Sequence, residues 1–285
     1  MRRAPWLLAG MLALALTAAA CGGGGGATSG GQAQSGAAGG TVDSVKQAGK
    51  LIVGTKFDQP LFGLKNLSGQ LEGFDTEIAR ELAKALLGDP SKVEFVESVS
   101  KNREPYLQEG RVDIVVATYT INDERKQKVD FAGPYYVAGQ DIMVKADDSS
   151  ITKIDDLNGK NVCTVQGSTS EKNLAKFAPQ AKAMLFDAYS KCADALGDGR
   201  VDAVTTDNVI LLGLVDKSKG AYKLVGNPFT EEPYGIGVKK GSDLRQFIND
   251  ELEKMFTDGR WAAAWEKTAG KVAGETPTPP AIDRY

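Results

Sequence analysis

VDIVVATYTINDER, residues 112–125, is the stretch whose reading decides the fold. Val112 to Ala117 reads as a buried strand, and at Thr118 the chain changes to a polar, helix-starting turn that ends on Arg125. Open α/β sheets place their ligands at such strand ends. Much of the stretch recurs, because GRVDIVVATYT (110–120) is matched by GRVDAVTTDN (199–208). Two similar strand ends imply two similar lobes.

The segments around each copy support that reading. KLIVGTK (50–56) predicts a first strand, and 57–73, with Pro60 and several glycines, predicts loop or a weak hairpin. Phe74, Ile78, Leu82 and Leu86 recur at four-residue steps, which predicts a helix stopped by Gly88. KVEFVE (92–97) alternates as a strand, and Pro105 to Glu109 predicts a short helix before Gly110. Beyond Gly133-Pro134 a strand resumes at 141–145. The second copy has the same order: strand 161–166, helix after Gly167, strand 183–186, helix 190–196, strand 200–206 and a helix from Asp207. A helical stretch over 242–268 follows, and the Pro-rich tail is expected to be loose. Strands alternating with helices at this spacing predict mostly parallel sheets.

The N-terminus is a separate matter. Arg2 and Arg3 precede an apolar run from Trp6 to Leu16, the pattern of an export signal over 1–20. Cys21 follows three alanines and resembles the lipobox cysteine of bacterial lipoproteins, although Ala18 stands where that motif has a larger aliphatic residue. Lipidation at Cys21 is expected, ordinary cleavage beside a bystander cysteine being the alternative. The Gly-rich segment 21–41 predicts a flexible tether.

Composition excludes several chemistries. The chain has no histidine, which removes Ser-His-Asp and Cys-His catalysis and His-based zinc sites. No cofactor or metal is called for. The formal charge of −3, which becomes −5 once Arg2 and Arg3 are removed, argues against nucleic acid as a partner. In an exported chain the two remaining cysteines, Cys163 and Cys192, favour a disulfide closing a loop of about 30 residues. Two buried free thiols are the alternative.

Several polar residues converge on the predicted strand ends. Arg125 falls in a first helical turn, where the macrodipole disfavours a cation. An anion brought to the same helix start explains it, and so does an ion pair with Asp123 or Glu124. Asp207 ends the second copy, where an acid also serves as a helix N-cap. Face to face, the arginine turn and the aspartate complement the carboxylate and ammonium of an α-amino acid. Lys56 and Arg103 are two more cations at the same edge, either inward and reading a second negative group or solvated on the surface.

TYTINDERKQKVDFAGPYY, GFDTEIARELAKAL, VQGSTSE and the TTD strand end together resemble the polar amino-acid solute-binding proteins of bacterial ABC importers. The likeness covers nearly all of 50–268, and KNREPYLQEG resembles the glutamate and aspartate binders. It implies an α/β, two-lobe periplasmic-binding-protein-like (type II) clamp. Lobe one would comprise 42–136 and 235–270, lobe two 137–234, and the tail 271–285. Arg125 would hold the α-carboxylate with Thr120 and the backbone around Thr118 and Thr169, and Asp207 the α-ammonium. Arg103 and Lys56 would read an acidic side chain, and Tyr189 stands near a position where some relatives use histidine. The expected partners are glutamate or aspartate, a membrane permease and, through the lipid anchor, the membrane surface; a monomer is expected. A sensor subunit serving a membrane receptor or kinase, and a dehydratase of the same fold, are the alternatives.

Overall fold

The structure is a computed structural model that describes residues 40–285. The export signal, Cys21 and nearly all of the tether lie outside the described residues. α1 (Val42–Ala48), capped by Thr41, leads into β1 (Leu51–Thr55). β2 (Asp58–Gln59), β3 (Gly63–Lys65) and β4 (Leu71–Glu72) then form a small antiparallel sheet where the sequence suggested loop or weak hairpin. α2 (Phe74–Leu87) buries the predicted face of Phe74, Ile78, Leu82 and Leu86 and is followed by β5 (Val93–Glu97).

α3 spans Arg103–Gln108, so it begins two residues earlier than Pro105. β6 is confined to Ile114–Val115, shorter than the apolar run, because the backbone turns at Thr118 into the left-handed region (φ 43°). α4 (Asp123–Lys126), β7 (Asp130–Ala138) and β8 (Gln140–Lys145) follow. The second half runs through β9 (Asn161–Val165), α5 (Thr169–Phe177), β10 (Lys182–Phe186) and α6 (Tyr189–Gly197). It continues with β11 (Ala203–Asp207), α7 (Asn208–Lys217), β12 (Tyr222–Leu224) and β13 (Glu232–Val238). The predicted final helix is two, α8 (Leu244–Asp258) and α9 (Arg260–Lys267), broken where Gly259 adopts φ 85°, with a last turn α10 (Gly270–Ala273).

The strands form two five-stranded sheets, β5-β1-β6-β13-β7 and β10-β9-β11-β8-β12. Where strands alternate with helices the pairing is parallel, as predicted: β1 with β5 and β6, and β9 with β10 and β11. The strands beside the passages between sheets add antiparallel pairs, so each sheet is mixed. The chain leaves the first sheet at Gly139, between β7 and β8, and returns between β12 and β13. Each sheet has an apolar cluster on both faces, which buries two cores in two lobes.

The repeated GRVD has a local cause. In each copy a left-handed glycine, Gly110 or Gly199, ends a helix, and the next arginine's N–H returns to a carbonyl of that helix. The aspartate then accepts the N–H of the neighbouring strand, Asp113 from Ile52 and Asp202 from Asn161, both at 2.8 Å. The repeat is thus a register device that starts β6 and β11 alike.

Cys163 on β9 and Cys192 on α6 are bonded and fully buried, with Cα atoms 5.5 Å apart. Across 29 residues of sequence, the bridge stabilises the second lobe by on the order of 3 kcal/mol. The tail corrects its expectation: it is irregular but docked. Asp283 donates its N–H to Gly133, and the Tyr285 hydroxyl accepts from Phe131 N–H while Arg245 lies over its ring. Proline fixes φ without requiring helix or strand, so an extended tail still packs.

Candidate functional site

The chain just beyond β6 and the carboxyl end of β11 border a cavity between the two lobes. From the first lobe it is lined by Gln59, Ser100, Arg103, Thr118 and Thr120, and from the second by Ser168, Thr169, Ser170, Tyr189, Thr206, Asp207 and Ile210. Six of the predicted residues, Arg103, Thr118, Thr120, Thr169, Tyr189 and Asp207, therefore meet there, whereas Lys56 and Arg125 are not in its lining. The lobes touch across it: the hydroxyls of Thr120 and Thr169 are 3.5 Å apart, and Asp58 accepts the N–H of Tyr189 at 2.8 Å.

Thr118 is the pivot of the first strand end. Its left-handed backbone is unusual for a β-branched residue and is held by its N–H donating to Asp75 and its hydroxyl donating to Gln59. Asp75 is in turn held by the Tyr135 hydroxyl at 2.6 Å. Burial pushes the Asp75 carboxyl up to about 6, against the pull of those two donors.

Arg103 is buried at 2% exposure. Its Nε donates to the Ser100 carbonyl, and its Nη1 reaches the carbonyls of Ala117 and Thr118 at 3.1 and 3.3 Å. Nη2 makes none of these bonds. Lys56 is equally buried, and its Nζ donates to the Ser100 hydroxyl at 2.8 Å. Neither cation has a carboxylate within 4.0 Å among the described residues. Desolvation, reinforced by the neighbouring Arg103 charge, lowers Lys56 to about 7; desolvation and Arg125 lower Arg103 to about 10.

Arg125 sits at the rim. Asn122 caps its short helix by accepting the Arg125 N–H. The guanidinium donates to the carbonyls of Thr120 and, across the lobes, Gly167, and pairs with Glu104 at 3.4 Å rather than with Asp123 or Glu124. It lines an outer groove with Lys101, Glu104 and Lys172, contiguous with the cavity through Ser168 and Thr169. Both Arg103 and Arg125 lie over the Tyr119 ring, at 4.2 and 4.9 Å.

Asp207 is the opposite pole. Its Oδ2 accepts from the Tyr234 hydroxyl at 2.6 Å, and its Oδ1 is buried with no hydrogen-bond partner among the described residues. Desolvation first, and the nearby Glu232 charge second, raise Asp207 to about 7. Gln59 Nε2 is likewise buried and unpaired. An unmatched acceptor, an unmatched donor and the Arg103 guanidinium thus meet in this closed space, with the Lys56 charge behind Ser100.

The sequence offered no sign of Gln59, which lies in a segment read as loop, nor of Ser100 or Tyr234. Ser168 and Ser170 belong to the VQGSTSE stretch that carries part of the family resemblance, with Ser168 accepting the Glu171 N–H as the cap of α5.

Residues 51–271 match the family model described as bacterial extracellular solute-binding proteins, family 3. Among relatives, the ABC transporter glutamine-binding protein GlnH of Bacillus subtilis is 47% identical over 230 residues, covering 80% of this chain and 84% of that one. The glutamate-binding protein GluB of Corynebacterium glutamicum is 38% identical over 247 residues, 81% of this chain and 83% of its own. Among solved structures, a solute receptor for L-cysteine of Neisseria gonorrhoeae superposes with a TM-score of 0.79 at 36% identity, covering 85% of this chain and 98% of that one. Fold and sequence agree, and the chain belongs to the bacterial extracellular solute-binding proteins, family 3.

Proposed function

We propose that the protein captures an acidic amino acid, glutamate or aspartate, between its lobes and delivers it to the membrane permease of an ABC importer, held at the outer face of the cytoplasmic membrane through a lipidated Cys21. The observation that carries the acidic preference is the buried pair Lys56 and Arg103 without a carboxylate partner. Two buried cations, Arg103 in the lining and Lys56 behind Ser100, are costly unless an anion joins them, and a ligand side-chain carboxylate is such an anion. Asp207 Oδ1 takes the α-ammonium. The α-carboxylate belongs where the Thr120 and Thr169 hydroxyls meet, with the Thr118 backbone beside them and Arg125 at the rim, and Tyr189 packs against the ligand from the second lobe. Relatives named for amino-acid binding in transport support the role in kind. The one named for glutamine is the more identical of the two, so the side-chain preference rests on this chain's own cations.

The test is titration calorimetry at pH 6 against glutamate, aspartate, glutamine, asparagine, histidine and arginine. Both acids are expected to bind at least about 10-fold more tightly than their amides, from one added charge-assisted contact. A preference for an amide or a basic amino acid at that pH overturns the acidic reading.

Closure is tested separately at Gly213 on α7, where a Cβ would stand 2.5 Å from the Pro60 carbonyl oxygen, beside the small sheet of the first lobe. Alanine favours helix over glycine by about 1 kcal/mol, so Gly213→Ala leaves α7 intact and instead props the lobes apart. It is expected to weaken all ligands alike by about 10-fold, the equivalent of 1.4 kcal/mol, with a larger radius of gyration by small-angle scattering in saturating ligand. Unchanged affinity shows that this contact does not limit closure.

A further inference from the structure

Lys56 does not line the cavity; Ser100 does, and the Lys56 Nζ stands behind it at 2.8 Å from the Ser100 hydroxyl. A hydroxyl has one hydrogen to give and two lone pairs to accept with, an ammonium only donates, and a neutral amine also accepts. The direction of this one hydrogen bond therefore depends on whether Lys56 holds its third proton. We propose that Lys56 sets the side-chain preference of the site through Ser100. A protonated Lys56 obliges the hydroxyl to accept from it and leaves the O–H to donate to a ligand carboxylate. A neutral Lys56 accepts that O–H and turns a Ser100 lone pair toward a ligand amide N–H.

The surroundings of Lys56 leave the switch free to move. The charged groups facing it are Arg103 from α3 and Arg125 from α4, which oppose its charge, and Asp58 from β2 and Asp75 from α2, which favour it. None of the two carboxylates is within 4.0 Å of Nζ among the described residues, and Ser100 is its one hydrogen-bond partner there. With Lys56 lowered to about 7, both states are reachable near neutral pH. A bound carboxylate raises Lys56 again, so glutamate affinity is fully present below pH 7 and is lost as pH rises above it. Lys56 is thus a positioning residue that acts through Ser100.

This inference rests on the acidic-amino-acid reading. The experiment measures Kd for L-glutamate and L-glutamine on the purified protein from pH 6 to 8.5, in buffers of different ionisation enthalpy. Asp207 and Asp75 titrate in the same range, but they serve the parts that both ligands share, so they cancel in the ratio of the two constants. The expected result is a glutamate-over-glutamine preference that falls by about 30-fold between pH 6 and 8.5, following one-proton linkage from a midpoint near 7. At pH 8 glutamate binding takes up a proton and glutamine binding does not. Lys56→Arg, a permanent donor, keeps the pH 6 preference at pH 8.5. If glutamate fails to bind at pH 6, the functional reading falls. If glutamate binds but the wild-type ratio is flat with pH, the switch alone falls, whatever becomes of the variant.

Discussion

Asp207→Asn is expected to weaken every α-amino acid by on the order of 100-fold or more and, in the same protein, to raise the melting temperature of the ligand-free form at pH 8. The first effect follows from losing one member of the proposed Asp207–ammonium pair, a loss that costs about 2–5 kcal/mol in comparable settings. Asn leaves the Tyr234 bond possible through its carbonyl oxygen, so the change removes charge more than shape. The second effect is a linkage argument. Burial and Glu232 raise the Asp207 carboxyl from 3.8 to about 7 in the folded protein, so the folded state binds that proton more tightly than the unfolded state. A raised carboxyl subtracts stability progressively from pH 3.8 up to about 7 and by a constant amount beyond. Asn has nothing to lose across that window, so its advantage is present at pH 8 and absent near pH 4. Thermal unfolding at both pH values, beside calorimetry, checks the pair of effects. Normal binding sinks the ammonium role, and a lower melting temperature at pH 8 sinks the claim that Asp207 is an uncompensated buried charge.

The legibility of the site in the sequence followed one physical rule: groups placed by local backbone pattern were readable, and groups placed by packing were not. The two GRVD strand starts and the helix face of Phe74, Ile78, Leu82 and Leu86 are each written within a few residues. Tyr234 reaches Asp207 from 27 residues away on the returning strand β13, and Gln59 reaches Thr118 from 59 residues away. No period or turn signal marks either contact. The short β6 illustrates the same limit, since Val112 to Ala117 is apolar throughout but for Asp113, while the left-handed Thr118 that truncates the strand depends on Asp75, a helix residue 43 positions earlier. Arg125 was legible as a first-turn cation, yet its carboxylate partner is Glu104 from α3, not its sequence neighbours.

Arg103→Met is expected to cost glutamate about 100-fold in affinity and glutamine less than about 3-fold, because in the proposed binding mode the charge that is lost faces only the ligand's side-chain end. The guanidinium has a second duty that must be separated from the first. It satisfies the carbonyls of Ser100, Ala117 and Thr118, and leaving buried carbonyls unpaired costs about 1–3 kcal/mol of stability. A lower melting temperature is therefore expected alongside the affinity change, but a loosened Thr118 turn weakens both ligands equally, since both share the amino-acid end. The ratio of the two constants isolates the charge. Arg103 also presses on Lys56, as the largest charge effect lowering it. Removing Arg103 lets Lys56 hold its proton to higher pH, so the residual glutamate preference should persist further above pH 7 than in the wild type. Equal losses for glutamate and glutamine would mean that Arg103 serves the turn and not the side chain. A ratio that collapses with its midpoint displaced upward ties Arg103, Lys56 and Ser100 into one selecting unit.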